Sequence, residues 1–336
     1  MIRAVPPAEI RGEMLVLSHD GPSASETLEE FLSVRPGPSG LVAAIAAALP
    51  PLALRLAAGH LPGDPAALVG TNDSGDRQKA LDVGAHDHLL LALKAAGARR
   101  VLSEEAEEVA TLNEDGAWDV AIDPIDGSGS IGIGAPLGLL FAIFPASEKG
   151  FFRPGREAVA AGYASFGHSL DFGFTLGDGV HIATWGPLTQ AFLMTRHDVK
   201  VAPGTKTIAY NASNERHWAP GLQRYAADLR AGKDGPRGKD FNMRWLAAAV
   251  GELHRILLQG GAFLYPADRR KGYENGRLRL CYEAIPVALL LEQAGGRATD
   301  GSRDILDLVP SDHHQHTALV FGAADEVATI DKYLAD

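Results

Sequence analysis

Val120-Ala121-Ile122-Asp123-Pro124-Ile125-Asp126-Gly127-Ser128 is the stretch on which the reading of this chain turns. The apolar run Val120 to Ile122 has the character of a short buried strand, and it ends on a carboxylate. Pro124 has no N–H to give to a ladder, so paired strand is expected to stop there. Asp126 follows on the same turn. Two anionic oxygens can then converge on one hard cation, with the Ile125 carbonyl between them as a further donor. Gly127 and Ser128 supply backbone N–H groups in a turn of small residues, where a phosphate oxygen can approach without obstruction. Asp, Pro and Gly also favour a plain turn, each for its own reason, so this stretch by itself leaves both readings open.

Two further acidic stretches bear on the choice. Val101-Leu102 is another apolar run, ending in Ser103-Glu104-Glu105. Carboxylates buried at a strand end are costly unless a cation compensates them, although Glu107 and Glu108 keep a solvated acidic turn in play. Glu283 opens a segment running to Ala294, in which Pro286 suits a first helical turn and Ala288 to Leu291 is unbroken apolar sequence. A carboxylate there is either an ordinary cap favoured by the helix dipole or a metal ligand.

Asp123 to Ser128 read DPIDGS, and on that signature the chain resembles the lithium-sensitive, magnesium-dependent phosphatase superfamily. Within it, the likeness is to class I fructose-1,6-bisphosphatases. Gly75-Asp76 with Leu81-Asp82, the SEE of Ser103 to Glu105, Pro154 to Tyr163, Gly177 to Ile182, Glu252 to Leu257, Gly260 to Pro266 and Gly276 to Pro286 all look like segments of that family, in its order. An inositol monophosphatase would carry Trp-Asp where this chain has Tyr282-Glu283.

The resemblance implies an α/β fold of mixed α+β type, a layered α-β-α-β-α sugar-phosphatase architecture made of two fused α/β halves. The expected N-terminal half, 1–205, carries most metal ligands; the C-terminal half, 206–336, carries the substrate-binding residues and Glu283. By position, Glu104, Asp123, Asp126 and Glu283, with the Ile125 carbonyl, match the family's metal ligands, and Asp82 matches a catalytic acid near a further metal position. Glu105 and Asp76 match residues that activate the attacking water. Gly127 and Ser128 match the turn around the reacting phosphate, while Asn214, Arg244, Tyr265 and Arg277 match residues that hold the sugar bisphosphate. The cofactor implied is Mg2+, two or three ions per subunit, with Mn2+ possible. The assembly implied is a homotetramer in which Arg244 reaches a neighbouring site.

The departures from the family pattern fall on binding rather than on metal ligands. Its DPLDGSSNID reads DPIDGSGSIG here, with Gly129, Ser130 and Gly132 replacing Ser, Asn and Asp. Trp245 and His217 stand at usual tyrosines, removing phenolic hydroxyls from the remote phosphate. Arg277 replaces a usual lysine, keeping the charge with a different geometry. Ala117 and Trp118 stand where AMP-binding members have Lys and Tyr, so weak or absent AMP control is expected.

The charges imply a mechanism. A phosphomonoester dianion repels a nucleophile, and the leaving sugar oxygen must accept negative charge; divalent cations answer both needs. Direct in-line attack by water is expected, with Glu105 or Asp76 taking the proton. Three functions remain open: fructose-1,6-bisphosphate 1-phosphatase of gluconeogenesis or the Calvin cycle, the same chemistry on sedoheptulose 1,7-bisphosphate, or a non-catalytic sugar-phosphate-binding homologue.

Composition is compatible with all three. A chain of 336 residues that is 46% hydrophobic can bury one large core or two fused ones, and a net charge of -11 argues against nucleic acid or an acidic membrane as partner. A negative protein binding a bisphosphate needs metals and a local cationic cluster, for which Arg269, Arg270, Lys271 and Arg277 are candidates. The single cysteine, Cys281, allows no intramolecular disulfide and fits a reducing cytoplasm as a core residue. Met1 to Glu13 shows no signal-peptide pattern. Leu41 to Ala58, interrupted by Pro50-Pro51, reads as a buried or subunit-contact helix pair rather than a membrane span. A short helix is expected at Glu26 to Phe31 and longer helical patterns at Arg77 to Ala96, with Asp82 on its early turns, and at Arg244 to Leu258; Ala262 to Tyr265 reads as a strand. Gly167-His168 and Leu176 to Gly179 look like hairpin turns. His86-Asp87-His88 and His313-His314-Gln315-His316 look metal-like, but the first pair lies on different helix faces and the second in a polar loop.

Overall fold

The computed structural model describes residues 24–71 and 77–335; Met1 to Glu13, Gly75 and Asp76 lie outside them. Thr27 caps α1 (Leu28–Ser33) in a reciprocal capping box with Glu30. Next comes α2 (Ser39–Ala57), one continuous helix rather than the expected pair. Its prolines remove two backbone donors in mid-helix, yet apolar packing of Leu41, Val42, Ile45, Leu49 and Leu52 on both sides of them holds the axis through. Among the described residues it is the helix long and apolar enough to cross a membrane, and its buried face lies on the protein's own core.

The strands β1 (Leu68–Thr71) and β2 (Arg77–Lys79) pair ahead of α3 (Ala80–Ala95), which carries Asp82 in its first turn; Gly97, in the left-handed region, follows its end. Then run β3 (Arg100–Ser103), β4 (Ala110–Thr111), β5 (Trp118–Asp126), β6 (Leu137–Pro145), β7 (Ala160–Phe166), β8 (Leu170–Thr175), β9 (His181–Gly186) and β10 (Ala191–Arg196). They form one eight-stranded sheet in the order β10-β9-β8-β7-β6-β5-β3-β4, antiparallel except for the parallel pair β3 and β5. Both expected hairpin turns connect neighbours here.

The rest of the chain comprises β11 (Thr207–Tyr210), α4 (Pro220–Ala231), β12 (Asn242–Met243), α5 (Ala249–Gln259), β13 (Ala262–Tyr265), β14 (Leu278–Arg279), α6 (Ile285–Gln293), β15 (Gly296–Thr299), β16 (His316–Thr317), β17 (Leu319–Ala323) and α7 (Ala324–Ala335). A five-stranded sheet runs β12-β11-β13-β17-β15, and β14 with β16 makes a short separate ribbon. The helix expected over Arg244 to Leu258 begins later. Met243 pairs with Ile208 as strand and Ala247 adopts a positive φ of 65°, so the chain becomes helical only from Ala249.

The layers are α-β-α-β-α. Helices α1 to α3 cover one face of the large sheet, α5 and α6 fill the space between the sheets, and α4 with α7 cover the outer face of the smaller one. A helix between two sheets has no solvated side, and α6 accordingly buries Ile285 through Leu291 without a break. The largest apolar cluster joins Leu102, Ala121 and Tyr163 of the large sheet to Val250, Leu253 and Leu290 of the middle helices and to Phe263 and Phe321 of the smaller sheet. At about 1.5–3 kcal/mol per fully buried large side chain, this cluster welds residues from both sides of position 205 into one body.

Candidate active site

Because β3 and β5 are parallel, with Ser103 opposite Ile122, both strands deliver their carboxylates at the same end. Glu104 N–H donates to the Ile122 carbonyl at 3.2 Å, and its carboxyl meets that of Asp123. Pro124 does not end the strand as expected. The ladder with β6 continues to Asp126 through a bulge between Asp123 and Asp126, a place where proline's missing donor does no harm. The bulge is what turns both aspartates to one side. Asp123 Oδ1 accepts from Ile125 N–H at 2.9 Å, while the Ile125 side chain packs with Leu52, Leu81, Ile131 and Leu137.

Asp126 Oδ2 accepts from Val250 N–H at 2.6 Å, joining the end of β5 to the first turn of α5. Gly127 lies at φ 82°, and a Cβ there would stand 2.7 Å from the Cβ of Ala248, so this turn can press on α5 only as glycine. Ser128 follows in a single turn through Ser130, and its carbonyl accepts from Lys79 Nζ at 2.5 Å. Glu283 arrives from the other half of the chain. Of the two readings its position allowed, the simple helix cap fails: it sits in a π-helical turn, Leu280–Ala284, that runs into α6. Its Oε2 accepts from Arg279 N–H at 2.5 Å. Widened turns of this kind recur at functional sites because they re-aim a single side chain.

Ligand oxygens of Asp123, Asp126 and Glu283 all lie within 4.8 Å of one another, and all three residues are buried. Like charges in so dry a place cannot all stay ionised without a counter-charge. Burial, reinforced by the neighbouring acids, holds the Asp123 and Glu283 carboxyls well above the ordinary carboxylate range. Burial pushes Asp126 to about 6 and Glu104 to about 7. Asp82, on the first turn of α3, is raised to about 6 by the same cause, and its buried Oδ1 has no hydrogen-bond partner. An all-oxygen donor set, a partnerless buried carboxylate oxygen and several destabilised anions together fit a hard divalent cation.

Glu105 follows β3 in the same turn; its N–H donates to Ser103 Oγ at 3.3 Å and its carbonyl accepts from Gln78 Nε2 at 3.0 Å. Ser103 Oγ also meets His86 Nδ1 at 2.8 Å, while His88 Nε2 bonds the Ala48 carbonyl, so the two histidines of that motif serve different neighbours. Asp76 lies outside the described residues. Cys281, buried, has its thiol pushed up to about 12 by desolvation and is no nucleophile at neutral pH.

The residues matched to sugar-bisphosphate binding gather by a separate route. Strands β11, β12 and β13 are mutually parallel, so the segment after each of them emerges at a common edge, the usual place for a ligand in such sheets. After β11 comes the turn Ala212–His217 with Asn214, after β12 come Arg244 and Trp245, and β13 ends on Tyr265. Trp245 stacks on Phe263 with ring centroids 5.5 Å apart and meets Tyr265 edge-on at 6.3 Å. Arg244 is exposed. Arg277 lies over the Tyr273 ring at 5.1 Å, within electrostatic reach of Tyr265. Of the expected cationic cluster, Arg269 bonds the Arg216 and His217 carbonyls on the surface and Arg270 pairs with Asp268. The Gly132 departure has a local reason: at φ 83°, a Cβ there would meet His60 Nε2 at 3.1 Å.

Sequence reasoning missed two cations. Lys79 bonds the Ser128 carbonyl, and Arg279 stands electrostatically beside Glu104 and Glu283. The alternation Arg277-Leu278-Arg279-Leu280 carried a signal for the second; nothing in the sequence pointed to the first.

Comparison with known proteins agrees with this architecture. Residues 55–197 match the family model "Fructose-1-6-bisphosphatase, N-terminal domain" and residues 201–335 match "Fructose-1-6-bisphosphatase, C-terminal domain". The chain is 53% identical over 295 residues to the class 1 fructose-1,6-bisphosphatase of Brucella anthropi, covering 88% of this chain and 87% of that one. To the class 1 enzyme of Brucella suis it is 54% identical over 280 residues, 83% and 82% of the two chains. The crystal structure of Leishmania major fructose-1,6-bisphosphatase in holo form superposes with a TM-score of 0.87 at 26% identity, over 94% of this chain and all of that one. The chain belongs to the class 1 fructose-1,6-bisphosphatase family.

Proposed function

We propose that the chain is a phosphoric monoester hydrolase that releases the 1-phosphate of D-fructose 1,6-bisphosphate, giving fructose 6-phosphate. The observation that carries this reading is the convergence of Asp123, Asp126 and Glu283 within 4.8 Å, joined by Glu104, beside the turn at Gly127 and Ser128. Glu104, Asp123, Asp126, Glu283 and the Ile125 carbonyl would hold two or three Mg2+ ions, or Mn2+ in their place. Cations held there neutralise phosphoryl charge and acidify water. The N–H groups of Gly127 and Ser128 orient the reacting phosphate. Glu105 or Asp76 accepts the proton of the attacking water, with Asp82 beside a further metal position. Asn214, Tyr265 and Arg277 grip the sugar and its remote phosphate, and Arg244 completes a neighbouring subunit's site in a homotetramer. The setting is cytoplasmic carbohydrate metabolism, gluconeogenesis or the Calvin cycle.

A second reading, action on sedoheptulose 1,7-bisphosphate alone or as a dual activity, is favoured by His217 and Trp245 at the remote-phosphate positions. Phosphate release from both bisphosphates, with and without magnesium, tests the proposal. Magnesium-dependent release with a higher kcat/KM on fructose 1,6-bisphosphate is expected. A preference for the seven-carbon sugar would move the assignment to the second reading, and release from neither would leave a binding protein.

A further inference from the structure

The 311–317 loop, whose histidines looked metal-like in the sequence, bonds the π turn that carries Glu283 rather than joining the acidic cluster. His314 Nδ1 meets the Tyr282 hydroxyl at 2.9 Å, and its Nε2 meets the Glu107 carbonyl at 3.2 Å. A carbonyl can only accept, so Nε2 donates; in the neutral imidazole Nδ1 is then the acceptor and the Tyr282 hydroxyl donates to it. Tyr282 precedes Glu283 inside the π turn, and Glu107 stands three residues beyond Glu104 on the loop that leaves β3.

We infer that His314 is a positioning residue that sets the separation of Glu104 and Glu283, metal-binding carboxylates contributed by opposite halves of the chain. This rests on the metal-site reading above. Neither acid touches His314; it acts through the backbones that carry them. The remainder of the loop is braced for the task. The Gln315 carbonyl accepts from Leu280 N–H at 2.9 Å, and the His314 carbonyl accepts from Arg279 Nη1 at 3.2 Å. Arg279 pairs in register with His316 across the β14–β16 ribbon, and His313 stacks on Phe152 at 4.5 Å between centroids. With the loop pinned at these points, the imidazole is a rigid spacer between the π turn and the Glu104 loop. Outer partners of this kind hold ligands in place, and their loss weakens metal affinity.

The test uses the full-length enzyme, Mg2+ titrated calorimetrically without substrate, and melting in excess chelator. His314→Ala is expected to weaken Mg2+ binding about tenfold, the lower end of the range for outer partners of metal ligands. Its metal-free melting temperature should stay near that of the parent, and KM for substrate at saturating Mg2+ should be unchanged. Tyr282→Phe, which deletes one hydroxyl at constant shape, should reproduce the loss and covers the case in which the alanine variant fails to fold. The double variant should be no worse than either single one. Parent-like Mg2+ affinity in a folded His314→Ala or Tyr282→Phe protein would overturn the inference while leaving the metal site standing. A parent chain that binds no divalent cation would instead overturn the metal site, and this inference with it.

Discussion

Asp123 is surrounded by more like charge than any neighbour can offset: Glu104 touches it, and Asp126 and Glu283 close the cluster. Its replacement by alanine is expected to lower kcat by about a hundred- to a thousandfold, the scale on which losing one electrostatic partner of a transition state is felt. The same substitution relieves repulsion in the metal-free protein, so its melting temperature in chelator should equal or exceed the parent's. Phosphate-release assays and differential scanning calorimetry read the two effects, and a fully active Asp123→Ala variant would contradict the assignment. The pH dependence comes from the directions of the shifts. Glu104, Asp82 and Asp126 titrate at about 7, 6 and 6 in the folded chain, against about 4 when unfolded. Between those values the folded state binds more protons than the unfolded one, so metal-free stability falls as pH rises from about 4 to about 7. Divalent cation replaces those protons. The rise in melting temperature on adding Mg2+ should therefore be small at pH 5 and large at pH 8; a rise that is the same at both would count against a proton-filled site.

At the scale of elements, the site depends on two interruptions of regular structure, the bulge in β5 and the π turn before α6. Gly127→Ala tests how tightly the first is coupled to α5. With φ at 82° and Ala248 Cβ 2.7 Å from the added methyl, the change should cost about 1–3 kcal/mol and weaken activity by displacing Asp126 from Val250 N–H. A variant with parent-like melting and kcat would show that the turn yields more easily than its geometry implies. These interruptions also mark where the sequence was legible. Val120 to Ile122 declared a strand by its apolar run, and Ala262 to Tyr265 likewise, because burial on both faces leaves a plain compositional trace. Pro124 misled, since a proline that stops a ladder and a proline placed in a bulge have the same local signature. The start of α5 was misplaced for a related reason: Arg244 to Ala248 have helical spacing, but pairing of Met243 with Ile208 and the turn at Ala247 override it.

At the scale of the molecule, the family likeness made the layered architecture legible, whereas patterning alone could not have ordered the eight strands of one sheet or the five of the other. Lys79 went unread because its role is set by a bond to the Ser128 carbonyl, 49 residues away in sequence. The same distance-blindness hid the bracing of the π turn by the loop at His314. Ala117 and Trp118 sit where strand β5 begins, with Trp118 packed against the core beneath α2 and α3. AMP at micromolar concentration should therefore leave activity unchanged; inhibition in that range would show that another surface binds the nucleotide. Acids from distant parts of the chain converge in one cluster suited to divalent cations. Anomalous diffraction from crystals grown with Mn2+ tests it most directly. A peak coordinated jointly by Asp123, Asp126 and Glu283 is expected, and ordered manganese bound only elsewhere on the protein would refute the cage.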